Sequence, residues 1–161
     1  MKELNLGDIQ GNILGGFNKD FQQFIFLKFT SGPVGKAWLA EITDKDNPWG
    51  IAGSSSKDVL RFNAQFKALK TEGKEPERFI EAAWTNLSIS FSGFKALAVK
   101  PADLALFPEE FRVGMAARSD TLKDKGASDP ANWIKPFGTA DIHALSSLRT
   151  AKRCSRSALR T

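Results

Sequence analysis

The chain has 161 residues, 42% of them hydrophobic and 25% charged, which is the length and composition of one globular domain with a single core. Its net charge of +5 is concentrated at one end, because four basic and no acidic residues lie between Thr150 and Thr161, which leaves +1 for the rest. No aromatic residue is interleaved with these charges, which argues against nucleic-acid binding. The four basic residues are Lys152, Arg153, Arg156 and Arg160.

The N-terminus and the single cysteine indicate where the protein works. The first residues are mixed and polar, without the apolar region of a signal peptide, and no stretch approaches the length of a membrane span. Cys154 alone cannot form an intramolecular disulfide or a thiolate metal cluster, and it is compatible with a reducing compartment. We therefore expect a cytoplasmic protein without a membrane partner.

The first predicted strand spans Phe21 to Thr30. Phe24 and Phe26 point to one face, whereas Ile25 and Leu27 point to the other. Apolar residues on both faces predict an interior strand that is covered on both sides.

Two helices are predicted next. The first runs from Pro33 to Thr43 and has an apolar stripe at spacings of four residues. The second begins near Ser56 or Asp58, after a loop rich in Gly, Pro and Ser, and stops near Gly73. The stripe of the first helix consists of Val34, Trp38 and Ile42, and that of the second consists of Val59, Phe62, Phe66 and Leu69.

The second half of the chain alternates short elements with loops. Leu87, Ile89 and Phe91 alternate with serines, which predicts a strand with one apolar face that ends at Gly93. The elements predicted after it are helical turns over Phe94–Val99 and Pro101–Phe107, a longer helix over Pro108–Leu122, a loop over Gly126–Gly138 and a strand over Asp141–Leu148. This mixed order indicates an α+β domain, compatible with a ferredoxin-like sandwich that has one further strand around Ile51 or Phe79.

Several segments, taken in chain order, resemble the N-terminal half of the dye-decolorizing (DyP-type) haem peroxidase family. The first is Asp8-Ile9-Gln10-Gly11-Asn12-Ile13-Leu14, in which Gly11 and Asn12 would shape a tight backbone segment, and a Phe-rich strand follows it. The others are WTNLSISFSGFKAL from Trp84 to Leu97, FPEEFRVGMAARSDTL from Phe107 to Leu122, Asp129-Pro130-Ala131-Asn132-Trp133, and Asp141-Ile142-His143-Ala144-Leu145.

The resemblance implies a fold and an incomplete chemistry. The family oxidises dyes and other reductants with hydrogen peroxide at a haem iron, and this chain would be the ferredoxin-like half of its dimeric α/β-barrel-type architecture. The family's proximal histidine belongs to the C-terminal half, and its catalytic aspartate belongs to a Gly-x-x-Asp-Gly motif. No Asp-Gly dipeptide occurs here, and no distal arginine can be matched. We therefore predict no catalytic residue and no metal ligand, leave the cofactor-binding residues unknown, and expect no haem on this chain alone.

Other candidate residues have structural interpretations. His143, the only histidine, is interpreted as a hydrogen-bonded structural residue rather than the iron ligand. Arg112 and Arg118 are interpreted as surface or ion-paired residues, because a separation of six places them poorly on one helical face. Glu109 and Glu110 suit the start of a helix, where negative charge is favourable.

These inferences divide the chain into a ferredoxin-like domain over residues 1–149 and a basic tail over residues 150–161, which we expect to be disordered or aberrant. The expected partner is the missing C-terminal haem half or another subunit, including a homo-oligomer. Two alternatives remain open. One is a haem site completed by oligomerisation, and the other is a non-catalytic interaction module or decayed gene product with an exposed apolar face.

Overall fold

The computed structural model describes residues 3–16, 21–44 and 53–150. Within them, the strands are β1 (Phe21–Leu27), β2 (Ala83–Ile89) and β3 (Ala144–Thr150). The helices are α1 (Gly11–Leu14), α2 (Gly32–Thr43), α3 (Ser56–Thr71), α4 (Phe91–Ala96), α5 (Pro101–Leu104), α6 (Glu109–Val113) and α7 (Ser119–Leu122). Single turns of 3-10 helix occupy Leu6–Asp8, Pro76–Arg78, Ala116–Arg118, Gly126–Ser128 and Pro130–Asn132. The predicted α+β class is confirmed.

The three strands form one sheet in the order β1-β3-β2. Among the described residues β1 therefore lies at an edge of the sheet, and the prediction of an interior strand covered on both sides is wrong there. Phe24 and Phe26 are 53% and 44% exposed, whereas Ile25 and Leu27 on the other face are half-buried. A run of apolar residues looks the same for a covered strand as for an edge strand with one open face, because periodicity reports only side-chain polarity.

The chain divides into two compact units, of which the first comprises Met1–Ile25, Ile42–Leu87 and Ser146–Thr161. The core of this unit is built around Val59 of α3 and Trp84 of β2, which are buried and are packed by Phe62 and Ala82. The rings of Phe62 and Trp84 meet edge to face, with 5.3 Å between their centroids. The predicted apolar face of α3 is thus confirmed.

Helix α3 begins where the sequence predicts, because Ser55 and Asp58 form a capping box. The Ser55 hydroxyl accepts a hydrogen bond from the Asp58 backbone N–H at 3.2 Å, and the Asp58 carboxylate accepts one from the Ser55 N–H at 3.1 Å. These two bonds satisfy donors that a helix start otherwise leaves unpaired. Gly73, at a φ of +72°, follows the end of the helix as predicted.

The second unit comprises Phe26–Glu41 and Ser88–Leu145 and contains an aromatic cluster. Its rings are close enough for direct packing, with centroid distances of 5.0 Å between Phe94 and Phe107 and 5.2 Å between Phe107 and Phe111. Phe91 joins this cluster through an edge-to-face contact with Phe107. The cluster links α4 with the segment that leads into α6.

Strand β2 ends at Ile89, so the prediction that it continues to Gly93 is wrong. The Ser90 hydroxyl accepts a 3.0 Å hydrogen bond from the Gly93 N–H and caps α4, which begins at Phe91. Serine at position 90 fits a polar strand face and a helix cap equally well, and the cap prevails because it satisfies a free helical donor.

The single helix predicted over Pro108–Leu122 is also wrong, because the chain breaks at Gly114. Helix α6 ends at Val113, and Gly114 adopts a φ of +76°, in the left-handed region that favours glycine. A 3-10 turn and the short α7 follow, and α7 ends at Leu122, just before Lys123, whose φ is +64°. A glycine in an apolar periodic pattern here acts as a stop rather than an interior residue.

The remaining predictions have mixed outcomes. Helix α2 is confirmed, and the helical turn predicted over Pro101–Phe107 is present as the shorter α5. The turn predicted over Phe94–Val99 is present as α4, three residues earlier, and the strand predicted over Asp141–Leu148 is present as β3, displaced towards the C-terminus. A further strand around Phe79 is wrong, because Phe79 lies in a turn. Ile51 and the basic tail beyond Thr150 lie outside the described residues. In the part of the chain that the structure describes, no helix has the length and hydrophobicity needed to cross a bilayer.

Candidate functional site

The side chain of Gln10 connects the Asp8–Leu14 segment to β2 through hydrogen bonds. Its Oε1 atom accepts a hydrogen bond from the Leu87 N–H at 2.8 Å, and its Nε2 atom donates one to the Leu87 carbonyl oxygen at 3.0 Å. The side-chain amide therefore satisfies both backbone groups of Leu87, as the backbone of a neighbouring strand would.

Asn86 completes this amide cluster from a buried position. Its Nδ2 atom donates to Gln10 Oε1 at 2.5 Å and to Asn12 Oδ1 at 2.6 Å. The backbone N–H of Gly11 donates to the Ser54 carbonyl at 2.7 Å, and Gly11 is itself buried. The predicted tight backbone segment at Gly11 and Asn12 thus contacts both β2 and the residues before α3. The amide side chains are paired with one another and with the backbone of β2, so the cluster has a structural role.

A groove of about 340 Å³ lies beside this cluster. Its walls include Asp8, Gln10, Ile42, Ser54, Thr85 and Leu87. The polar groups are mostly engaged: Ser54 and Thr85 exchange hydrogen bonds at 3.0 Å, and the Asp8 carboxylate accepts one from Asn5. Among its described lining residues there is no histidine or cysteine, so the groove offers hydrogen-bonding groups and one carboxylate rather than a nucleophile with an adjacent base.

His143 is held by hydrogen bonds on its side chain and its backbone. Its Nδ1 atom accepts a 2.9 Å bond from the Phe29 N–H, and its own N–H donates to the Leu27 carbonyl at 2.8 Å. Its carbonyl oxygen accepts from the Ser90 N–H at 3.1 Å. Any β-carbon at Gly93 would overlap that carbonyl oxygen. The prediction of a hydrogen-bonded histidine is confirmed.

The direction of the Phe29–His143 hydrogen bond shows whether the His143 ring could serve as a ligand of a haem iron. A histidine that ligates a metal generally donates its second ring N–H to an acceptor, which leaves the other nitrogen free for the metal. Here Nδ1 accepts, so the proton of the neutral ring lies on Nε2. Neither ring nitrogen then presents a lone pair to iron, and the histidine does not fit an axial ligand.

An ion pair lies close in sequence to this histidine. Lys28 Nζ and Asp141 Oδ1 are 2.7 Å apart, and both side chains are more than half exposed. The hydrogen bond and the positive charge of Lys28 hold the pKa of the Asp141 carboxyl below its usual value. An exposed pair of this kind is screened by solvent and contributes little to stability.

A second groove, of about 560 Å³ and mostly apolar, lies within the second unit. Two segments that carry the family resemblance line it, and the residues include Val113, Met115, Ala116, Trp133, Ile134 and Phe137. The Trp133 indole N–H donates to the Ser128 carbonyl at 2.8 Å, so its polar atom is paired and its ring supplies apolar surface.

The other candidate residues lie apart from both grooves. Glu109 and Glu110 occupy the first turn of α6 as predicted, Arg112 is exposed, and Arg118 is half-buried. Cys154 lies outside the described residues. Among residues 3–16, 21–44 and 53–150, no three His, Cys, Asp or Glu side chains are arranged to hold a metal ion.

Sequence reasoning missed Gln10, Asn86 and Gly93. Gln10 and Asn86 lie within segments that resemble the family, but the hydrophobic pattern of a sequence does not identify the hydrogen-bond partner of an amide side chain. Gly93 carried a detectable signal, because a serine three residues before a glycine fits a helix N-cap with a close backbone contact.

The described residues form an α+β fold, in which helices accompany a three-stranded sheet of order β1-β3-β2. Residues 8–156 match the family described as "DyP dimeric alpha+beta barrel domain". The chain therefore belongs to the DyP-type peroxidase family.

Individual relatives agree with this assignment and are much longer. The chain is 27% identical over 142 residues to "Peroxidase 2" and to "Dye-decolorizing peroxidase msp1" of Mycetinis scorodonius, and the match covers 88% of this chain but 23% of theirs. The DyP-type peroxidase of Anabaena sp. is similar in structure, with a TM-score of 0.69 at 24% identity over 91% of this chain and 28% of that one. A variant of the Pleurotus ostreatus dye-decolorizing peroxidase gives 0.67 at 23% identity, with coverage of 96% and 30%. The chain thus spans about a quarter of the length of these relatives.

Proposed function

We propose that this chain is an N-terminal fragment of a haem-dependent DyP-type peroxidase and serves as a structural part of that enzyme. The whole enzyme would oxidise dyes and other reductants with hydrogen peroxide. The observation that carries the proposal is the family match over residues 8–156, combined with coverage of 23% of relatives that are named peroxidases. In this proposal the catalytic groups belong to a partner half.

The environment of His143 supports a non-catalytic role for this half. Haem enzymes control their iron through an axial ligand and through polar groups on the distal side. His143 is the only histidine of the chain, and its Nδ1 atom is occupied by the Phe29 N–H. Haem bound to the complete enzyme would supply the peroxide chemistry, and this chain would supply packing surface.

Exposed apolar side chains support the proposed partner. Met115 and Ile134, which both line the mostly apolar groove of the second unit, are 62% and 81% exposed. Apolar surface of this kind is commonly covered by another domain or subunit. In this proposal the haem half or another subunit covers that surface. Residues 1–149 form the domain and residues 150–161 a basic tail, and the protein is located in the cytoplasm.

A haem titration tests the proposal. Haem is added to the purified chain and to a His143→Ala variant, and the absorption spectrum is compared with that of haem and an unrelated protein. We expect both proteins to leave the spectrum of free haem unchanged. A sharp Soret band in the wild-type chain that is lost in His143→Ala would contradict the structural role and assign the iron to His143.

The same titration distinguishes a haem site completed by oligomerisation. That alternative predicts a Soret band that strengthens with protein concentration and survives His143→Ala. The interaction-module alternative also predicts that the haem spectrum stays unchanged. It differs in predicting that a separately prepared haem half does not bind the chain. Binding of the chain to such a half would favour the peroxidase proposal.

A further inference from the structure

The acceptor role of His143 depends on the charge state of its ring. A neutral imidazole carries a proton on one nitrogen and a lone pair on the other, whereas an imidazolium carries protons on both. Nδ1 accepts the Phe29 backbone N–H at 2.9 Å, so this bond exists only while Nδ1 is unprotonated. A proton on Nδ1 would place two N–H donors against each other. Histidine is also the side chain that ordinarily changes charge between about pH 5 and 8.

The other hydrogen bonds of His143 do not depend on its charge. Its backbone N–H donates to the Leu27 carbonyl and its carbonyl oxygen accepts from the Ser90 N–H, and all four of these atoms belong to the main chain. His143 and Phe29 are both half-buried, so a proton does not have to enter a closed core to reach the ring. Protonation of the ring would therefore break one bond and leave the other two in place.

The charged groups near the ring are Asp141 and Lys28. Asp141 lies two residues before His143 and interacts with it electrostatically. The hydrogen bond and the charge of Lys28 hold the pKa of the Asp141 carboxyl below its usual value, so Asp141 stays ionised above about pH 5. From α4 and the residue before it, Gly93 and Ser90 approach His143, and neither carries a charge. Among these groups, the imidazole is the one whose charge can change between about pH 5 and 8.

Phe29 connects the His143 ring to helix α2. Its own ring packs against the imidazole, with centroids 5.5 Å apart, and against Trp38 of α2, with centroids 6.0 Å apart. A β-carbon at Gly35 of α2 would lie 2.9 Å from a carbon of the Phe29 ring, so the helix approaches this ring closely. The Phe29 N–H belongs to the short segment that joins β1 to α2. Loss of its acceptor would therefore loosen this junction first.

We propose that His143 makes the junction between β1 and α2 sensitive to acid: the neutral ring holds the Phe29 backbone N–H, and the protonated ring releases it. The contribution of this bond to stability is present while the ring is neutral, and it is lost as the pH falls and the ring takes up its second proton. The released N–H then pairs with water. This inference goes beyond the proposed function and does not rest on it, because it holds with or without a peroxidase partner.

NMR and hydrogen exchange on the wild-type chain test this proposal. At about pH 8, the ring nitrogen spectrum should show a proton on Nε2 and an unprotonated Nδ1. From about pH 8 to about pH 5, the protection of the Phe29 amide, corrected for the intrinsic exchange rate at each pH, should fall about tenfold or more as the ring is protonated. The Ser90 amide is the internal control, because it donates to the His143 carbonyl oxygen and should keep its protection.

His143→Asn is the matched variant, because its side chain offers an oxygen acceptor that does not titrate. We expect the corrected protection of the Phe29 amide in His143→Asn to be the same at both pH values. A proton on Nδ1 at about pH 8, a wild-type Phe29 amide that keeps its protection at about pH 5, or an equal fall at Phe29 and Ser90 overturns the proposal. These three outcomes are read from the wild type, so they decide the matter even if His143→Asn does not fold.

Discussion

The backbone N–H of Phe29 donates a 2.9 Å hydrogen bond to Nδ1 of His143. A side chain that would first be considered as a metal ligand therefore acts as an acceptor for a main-chain donor just beyond β1. Phe29 also packs its ring against the imidazole, with centroids 5.5 Å apart. His143 thus hydrogen-bonds to two backbone segments, one containing Leu27 and Phe29 and the other containing Ser90.

Replacing His143 by alanine should destabilise the fold. The Phe29 N–H is part of a partly buried bond and would lose its acceptor, which costs about 1–3 kcal/mol. His143→Asn retains an oxygen acceptor near the position of Nδ1, and should recover part of the loss. Urea unfolding followed by circular dichroism measures both effects, and equal stability of His143→Ala and wild type would contradict the structural role.

Gly93→Ala should be among the most destabilising small substitutions in the chain. A β-carbon at position 93 would overlap the His143 carbonyl oxygen and lie 2.9 Å from Ile89 Cγ2. Because the main obstacle is backbone, which cannot rotate away, we expect a loss of about 3 kcal/mol, the upper end for overpacking. Gly53→Ala is the matched control, since nothing lies within 4 Å of its added carbon. Thermal melts that are identical for the two variants would show that α4 and His143 are not in close contact.

Gln10→Ala should loosen the Asp8–Leu14 segment from β2. The substitution leaves both backbone groups of Leu87 without this partner and removes one acceptor of the Asn86 amide. We expect a loss of about 1–3 kcal/mol in the free energy of unfolding. Gln65→Ala, at an exposed position of α3, should be close to neutral. Hydrogen exchange at the Leu87 amide should accelerate only in Gln10→Ala. Unchanged protection of this amide in Gln10→Ala would show that Gln10 does not hold the segment to β2.

The Lys28–Asp141 pair predicts a small pH dependence with a defined sign. The pKa of the folded Asp141 carboxyl is lowered, so the pair stabilises the fold above the unfolded pKa of about 3.9 and loses that contribution as the pH falls through the folded pKa. NMR titration of the carboxyl in wild type and Lys28→Met measures the effect. We expect the Asp141 pKa to rise towards its usual value in Lys28→Met and in high salt. A pKa that is the same in both proteins would rule out Lys28 as the cause.

Much of the fold could be predicted from local sequence patterns. The Ser55–Asp58 capping box, the apolar face of α3 and the approximate position of β3 all depend on residues close together in the chain. The ordered motifs also led correctly to the family, because several segments in the right order are specific even when each one alone is not.

The errors arose where distant residues decide the outcome. The open face of β1 depends on strand order, which periodicity does not encode. The amide pairing between Gln10 and Leu87 joins residues 77 positions apart, and the acceptor role of His143 depends on Phe29, 114 positions away. The error at Gly114 has a local cause: its left-handed backbone stops a helix whose apolar pattern continues.

The most direct test of the central claim is peroxide-dependent dye oxidation by the isolated chain after incubation with haem. We expect a rate equal to that of the same concentration of free haem, in the wild type and in His143→Ala alike. A rate well above free haem that disappears in His143→Ala would contradict it, because the histidine held by Phe29 would then be serving the iron.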